Sequence, residues 1–227
     1  MTKWAGLETR KVLLEAAWNR IIDPSRPQRQ ILDVPGVLEE AERVWAQQFS
    51  AFGPRTFSRG SITHTFKTPD KLRRDALEHG FNRLISDAAQ VVGYFRSDVD
   101  SAAQHTDSGA RRLAIHAAVA HFVEQDVLRL AGDRGAFQSY LTLVGTVDEE
   151  ISTHASRLYA AYDKALVPIY ARASSVAQLK AFDSEAYAGI VTALIEGAAL
   201  RLALDQKAKT WLASLVAKTA ADAFFAR

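Results

Sequence analysis

Apolar residues recur at helical spacing along almost the whole chain, and every element they predict is a helix. The first, over residues 8–22, sets Leu7, Leu14, Trp18, Ile21 and Ile22 near one face and Arg10, Lys11, Glu15 and Arg20 largely outside it, the pattern of a support helix. Asp23-Pro24-Ser25-Arg26-Pro27 breaks it, and Asp33-Val34-Pro35-Gly36 opens another. Val37, Leu38, Ala41, Val44, Trp45 and Phe49 then recur through residues 37–52 up to Gly53-Pro54. The next stretch differs: from Phe57 to Lys67 the only anchors are Phe57, Ile62 and Phe66, among hydroxyls, a histidine and cations. That composition predicts a short helix with a thin buried stripe and a broad polar face.

Ser58 is a good N-cap for this helix, so the backbone N–H groups after it offer an anion site beside Arg59. After a tight turn, Thr68 caps a long helix with Pro69 at its first position, where a missing N–H costs nothing. Leu72, Ala76, Leu77, Phe81, Leu84, Ile85, Ala88, Val92 and Phe95 form its stripe. Residues 96–109 read as a polar loop, residues 110–130 as a helix, and Gly132-Asp133-Arg134-Gly135 as a turn. Helices are predicted over 136–145 and 147–172, the second bent or ended near Pro168, and a short one over 174–182. Asp183 or Ser184 caps a helix running to about residue 206, and a last one spans 207–225. The expected fold is all-α: an N-terminal head over residues 1–83 joined to a helical bundle over residues 84–227.

Composition narrows the function classes. With no cysteine, the 227-residue chain has no disulfide, thiolate metal site or thiol nucleophile. No leader-like segment and no charge-free span of membrane length appears, so the expected location is the cytoplasm, with no membrane partner. The net charge is only +2, but residues 55–83 hold seven Lys/Arg against three Asp/Glu, whereas residues 84–227 hold fourteen against sixteen. A local basic patch is the footprint of a phosphate-backbone binder; the plain alternative is a solvated helix face.

The run Ser58-Arg59-Gly60-Ser61-Ile62-Thr63-His64-Thr65-Phe66 resembles the recognition helix of TetR-family transcriptional regulators, whose pattern is Ser-Arg-Gly-Thr-hydrophobic-Tyr-x-x-Phe before a capped turn and a long helix. Thr9-Arg10-Lys11-Val12-Leu13-Leu14-Glu15-Ala16-Ala17 is similar to the family's first helix. The stretch from Ala193 to Leu204 is similar to its late dimerisation helix. The family's phosphate-reaching tyrosine is Thr63 here and the lysine opening the next helix is Pro69; Lys67 and Lys71 are placed to compensate. More residues than usual separate the first helix from the recognition helix.

The resemblance implies a homodimeric regulator that binds a double-stranded DNA operator, most simply a repressor released by a small-molecule effector. Arg59, Ser61, Thr63 and His64 are the groove-facing candidates, and Arg55, Ser58, Lys67 and Lys71 the phosphate contacts. It also implies an effector pocket in the middle helices, for which Phe95, His116, His121, Phe122, Phe137, Tyr140 and Tyr159 supply apolar bulk and orienting groups. The alternative for each is core packing. Gly189, Ala193 and Gly197, small residues four apart, with Leu200, Trp211 and Leu215, are the candidates for a two-fold interface, against packing inside one subunit.

Other chemistry finds no organising pattern. His116, His121 and Glu124 on one helix and Glu150 with His154 on another lack metal-ligand spacing. Ser139, Tyr140, Ser152 and the run Asp148-Glu149-Glu150 lie in no nucleophile elbow or phosphate loop, and the acidic run suits a helix N-terminus. No metal, cofactor or enzymatic role is therefore assigned. The alternative function is a helical dimer of the same fold that binds a ligand or protein but has lost operator binding.

Overall fold

The computed structural model describes residues 3–23, 32–132, 149–205 and 209–226, and among them every regular element is helical. In order these are α1 (Lys3–Ile21), α2 (Val34–Gln48), a single 3-10 turn (Ser50–Phe52), α3 (Arg59–Phe66), α4 (Pro69–Ala102), α5 (Ser108–Gly132), α6 (Glu149–Val176), α7 (Ser184–Leu204) and α8 (Lys209–Phe225). They form two compact units. Unit one comprises the described residues of Met1–Leu84 and Gln138–Ser156, and unit two those of Ile85–Phe137 and Arg157–Arg227.

In unit one α1 is the hub. Val12, Leu13, Leu14, Ala16, Ala17 and Trp18 are all buried, so most of the helix circumference is enclosed rather than one stripe. Two glycines allow the close approaches this requires. A Cβ at Gly80 of α4 would fall 2.1 Å from the Trp18 indole. One at Gly36 of α2 would fall 2.2 Å from the Arg20 guanidinium, which pairs with Asp33 at 2.6 Å. Asp33 also caps α2, accepting the Gly36 N–H at 3.3 Å. Val37, Ala41, Val44 and Trp45 of α2 complete the core with Phe57, Ile62, Phe66, Leu72 and Ala76.

The expected break at residues 24–27, the turn at 133–135 and the helix over 136–145 lie outside the described residues. Residues 96–102, expected as loop, belong to α4. Val92, Phe95, Val99 and Ala102 are buried at intervals of three and four, and the charged residues between them face solvent. Residues 174–182 form no helix of their own. Instead α6 passes through Pro168, ends at Val176 and turns, with Gln178 and Ala181 at left-handed φ of 56° and 54°. Asp183 caps α7, accepting the Ala186 N–H at 2.9 Å.

The core of unit two is a cluster of rings. Phe95 stacks on Phe122 at 4.7 Å, Tyr170 lies 5.2 Å from Phe95 and meets Tyr187 edge-on at 4.9 Å, and Phe224 closes on Tyr187 at 5.2 Å. The Tyr187 hydroxyl donates to the Ala220 carbonyl at 2.6 Å, tying α7 to α8. By length and composition α7 could span a membrane. However, one of its faces, Ala188, Val191, Ile195, Ala199 and Leu202, is buried in the unit-two core, and it carries Glu196 and Arg201.

Candidate nucleic-acid interface and effector region

Ile62 and Phe66 are buried and hold α3 to unit one, with Arg10 of α1 lying over the Phe66 ring at 5.5 Å. The remaining positions of α3 follow from that two-point anchor: Arg59, Gly60, Thr63 and His64 are exposed, as are the flanking Ser58 and Lys67. The helix starts where the Ser58 N–H donates to the Ser61 hydroxyl at 3.2 Å. It stops at Lys67, whose φ of 72° turns the chain into α4, where the Thr68 hydroxyl accepts the Lys71 N–H at 3.2 Å.

Arg59 makes no ion pair among the described residues, and its guanidinium sits at the exposed start of the helix. Thr63 is exposed, with its hydroxyl donating to the Arg59 carbonyl at 3.1 Å. Ser61 departs from the expectation, since it is half-buried and its hydroxyl is engaged in starting the helix.

Arg55 departs further. Its guanidinium donates to the Thr9 hydroxyl at 2.7 Å and lies over the Trp45 and Phe57 rings at 4.7 and 5.3 Å, so it ties α1 to α2 instead of reaching out as a phosphate contact. The Lys71 ammonium is exposed but sits 2.9 and 3.1 Å from the two Asp75 oxygens, one of which also accepts from Arg10 at 3.0 Å.

The α2–α3 connection, residues 49–58, is longer than the three or four residues of an ordinary helix-turn-helix. Trp45 explains how it is held, since its indole N–H donates to the Gly53 carbonyl at 2.9 Å and its ring stacks on Phe49 at 4.9 Å. Behind it, Glu15 of α1 takes His79 at 3.3 Å and also pairs with Arg83, both on α4. The hydrogen bond from His79 and the charge of Arg83 hold the Glu15 carboxyl below the usual glutamate range, against burial.

The second open face is apolar. Gly189, Ala193 and Gly197 are exposed, and a Cβ built on either glycine meets nothing within 4 Å. The stripe is therefore not used for packing within the described chain. On the same helix Ile190 is 53% exposed and Leu200 38%, and on α8 Leu215 is 50% and Trp211 61% exposed.

Among the described residues, the expected effector residues are dispersed rather than gathered at one site. Phe95 and Phe122 are enclosed in the ring cluster of the core. His116 bonds Asp222 at 2.9 Å on the surface of α5 and α8, and exposed His121 bonds Asp98 at 3.1 Å. Tyr159, half-buried, donates to Glu196 at 2.9 Å. Phe137 and Tyr140 lie outside the described residues.

A cavity of about 50 Å³ among the described residues of unit two lies elsewhere. Ile85, Ala88, Ala89 and Val92 of α4 form one wall. Leu158, Ala161, Tyr162 and Ala165 of α6 form the other. The Tyr162 hydroxyl donates to buried Asp126 of α5, whose other oxygen accepts Arg129 Nε and Nη2 at 2.8 and 2.6 Å. Burial and the Asp126 charge push the Tyr162 phenol well above its usual range, so it stays protonated. Sequence reading missed this triad, though a signal was present: Asp126 falls on the stripe Ile115, Val119, Phe122, where an unpaired carboxylate cannot sit.

No family model and no curated protein matches the chain. In fold it is similar to a crystal structure of a proposed transcriptional regulator from Pseudomonas aeruginosa PAO1, with a TM-score of 0.58 and 19% identity, covering 95% of this chain and 88% of that one.

Proposed function

We propose that the chain is a TetR-like, homodimeric, cytoplasmic regulator of transcription, with α3 as its DNA-reading helix and α7 with α8 as its two-fold interface. Residues 1–83 act as the DNA-binding head and residues 84–227 bind the effector and the second subunit. The observation that carries this is the outer face of α3: an exposed Arg59, Thr63, His64 and Lys67 on a helix held from behind by only Ile62 and Phe66. The similarity in fold to a proposed transcriptional regulator supports the same reading. Operator half-sites fix the spacing of two recognition helices, so a small molecule that favours another spacing weakens binding at both ends and releases a repressor. Retention of a neighbouring promoter fragment by the purified protein at moderate salt, lost on Arg59→Ala, is the test.

A second reading keeps the dimer and the ligand but not the operator. It is favoured by the engagement of Lys71 with Asp75, of Arg55 with Thr9, and of the Thr63 hydroxyl with the helix backbone. Binding that is absent at low salt on all promoter fragments would select it.

A further inference from the structure

The segment between α2 and α3 holds one ring outward. Its turn Ser50–Phe52 is closed by the Phe52 N–H, which donates to the Phe49 carbonyl at 2.9 Å, and by the Gly53 N–H, which donates to the Ser50 carbonyl at 3.1 Å. Gly53 then takes a left-handed φ of 77°, which a side chain would resist, and Pro54 restricts the residue after it. The Trp45 indole N–H donates to the Gly53 carbonyl, while Phe49 stacks on the same indole and the Arg55 guanidinium lies over it. Phe52 is left outside this packing: it meets the Phe49 ring at 6.3 Å and is 78% exposed, more than any other large apolar residue described. A single exposed aromatic is ordinary on a protein surface. One at the tip of a braced turn is already ordered, so a partner that covers it pays little conformational entropy.

Position and charge indicate what it meets. Phe57, the residue before the Ser58 cap, packs edge-on against Trp45 at 6.1 Å, so the indole that holds Gly53 also holds the start of α3. Phe52 therefore stands beside the N-terminal end of that helix, the end that contacts base edges when a recognition helix enters the major groove. From Val44 to Pro69 the chain carries Arg55, Arg59, His64 and Lys67 and no Asp or Glu, so the segment and α3 together suit an anionic partner. Glu42 of α2, which does reach the segment, is engaged by the Phe57 N–H at 3.3 Å.

A phenyl ring offers no hydrogen-bond donor and no charge, so it contributes nothing to a phosphate contact. The group it can recognise in the major groove is the C5-methyl of thymine. We propose that Phe52 is a base-reading residue outside α3: it covers a thymine methyl beside the base pairs that α3 reads, and so adds a preference for thymine there. This rests on the reading of α3 as the DNA-reading helix, and it lengthens the stretch of sequence that each subunit reads.

The test compares a neighbouring promoter fragment with the same fragment prepared with deoxyuridine in place of thymidine, which removes the methyls and keeps every hydrogen-bonding group. Binding to both is measured for the 227-residue protein, for Phe52→Ser and for Phe52→Leu. The thymine-to-uracil affinity ratio of the unsubstituted protein should exceed that of Phe52→Ser by about fourfold for each methyl covered, the effect of burying one methylene-sized group. Phe52→Leu, which keeps an apolar side chain, should keep most of the ratio. The salt dependence of binding should be the same for all three, because no phosphate contact is changed. Equal ratios for the unsubstituted protein and Phe52→Ser, with binding retained, overturn the proposal and leave the operator reading standing. A change of oligomeric state in Phe52→Ser would assign the ring to a second copy of the chain and overturn it equally. Failure of the unsubstituted protein to retain any promoter fragment at low salt removes the operator reading, and this proposal with it.

Discussion

Among the described residues, the exposed faces of α3 and of α7 with α8 differ in kind. The α3 face is small, polar and basic, on an eight-residue helix with two buried anchors. The surface of α7 and α8 is richer in apolar groups: exposed Gly189, Ala193 and Gly197 with Ile190 and Leu200 on α7, and exposed Trp211 and Leu215 on α8. Both expose atoms that a self-sufficient fold would not arrange in this way, but the partner each suits is opposite. A cation with no counter-ion is matched by phosphate and base edges. Exposed aliphatic and indole surface is matched by a second copy of itself, which removes it from water symmetrically.

The largest effect is expected where apolar surface is buried twice. Trp211→Ala should weaken dimerisation by about 2–4 kcal/mol, the range of an aromatic interface hot spot, read by sedimentation across a dilution series. Gly197→Leu should give a folded monomer that no longer holds a two-half-site operator. A wild type that light scattering shows to be monomeric at micromolar concentration breaks the comparison on this side.

On the other face, Arg59→Ala should cost about 1–3 kcal/mol of operator binding with dimerisation and melting temperature unchanged. Lys67→Ala should lower the dependence of log affinity on log salt by about 0.9. Lys71→Ala should lower it less, because Asp75 already neutralises that ammonium. Equal slopes for both lysines would mean that the Asp75 pair opens on DNA.

The smallest effect concerns what supports α3. Since Glu15 has a folded pKa below its ordinary 4.5, it contributes stability above that value, and the contribution is lost as pH falls from 4.5 through the lowered folded value. Glu15→Gln should therefore flatten the acid limb of a thermal melt followed by exchange in α1 and α4, and leave α7 and α8 unaffected. An unchanged limb removes the Glu15–His79–Arg83 tie from the account.

Much of the fold was legible because helical periodicity, caps and breakers agreed. Thr68, Asp183 and the Ile62–Phe66 pair all do what their positions suggest. The failures have physical causes. The end of α4 was hidden because its exposed positions, Arg96 to Ser101, are polar enough to resemble a loop, and only the spacing of Phe95, Val99 and Ala102 betrays the buried side. Pro168 does not end α6, which runs on to Val176. Phe95 and Phe122 pack into the core, where rings of that size are easily accommodated, and a void forms where four alanines leave space. Arg55 looked like a free cation because sequence does not show that Trp45 and Phe57 offer it two ring faces.

The central claim is that α3 reads DNA from a dimer. It is tested most directly by measuring the affinity of the 227-residue protein for a neighbouring promoter fragment across a salt series, beside Arg59→Ala. The account predicts affinity that falls steeply and linearly on a log–log plot, with the variant displaced to weaker binding at every salt concentration. Affinity indifferent to salt, or unchanged by the loss of Arg59, would contradict it.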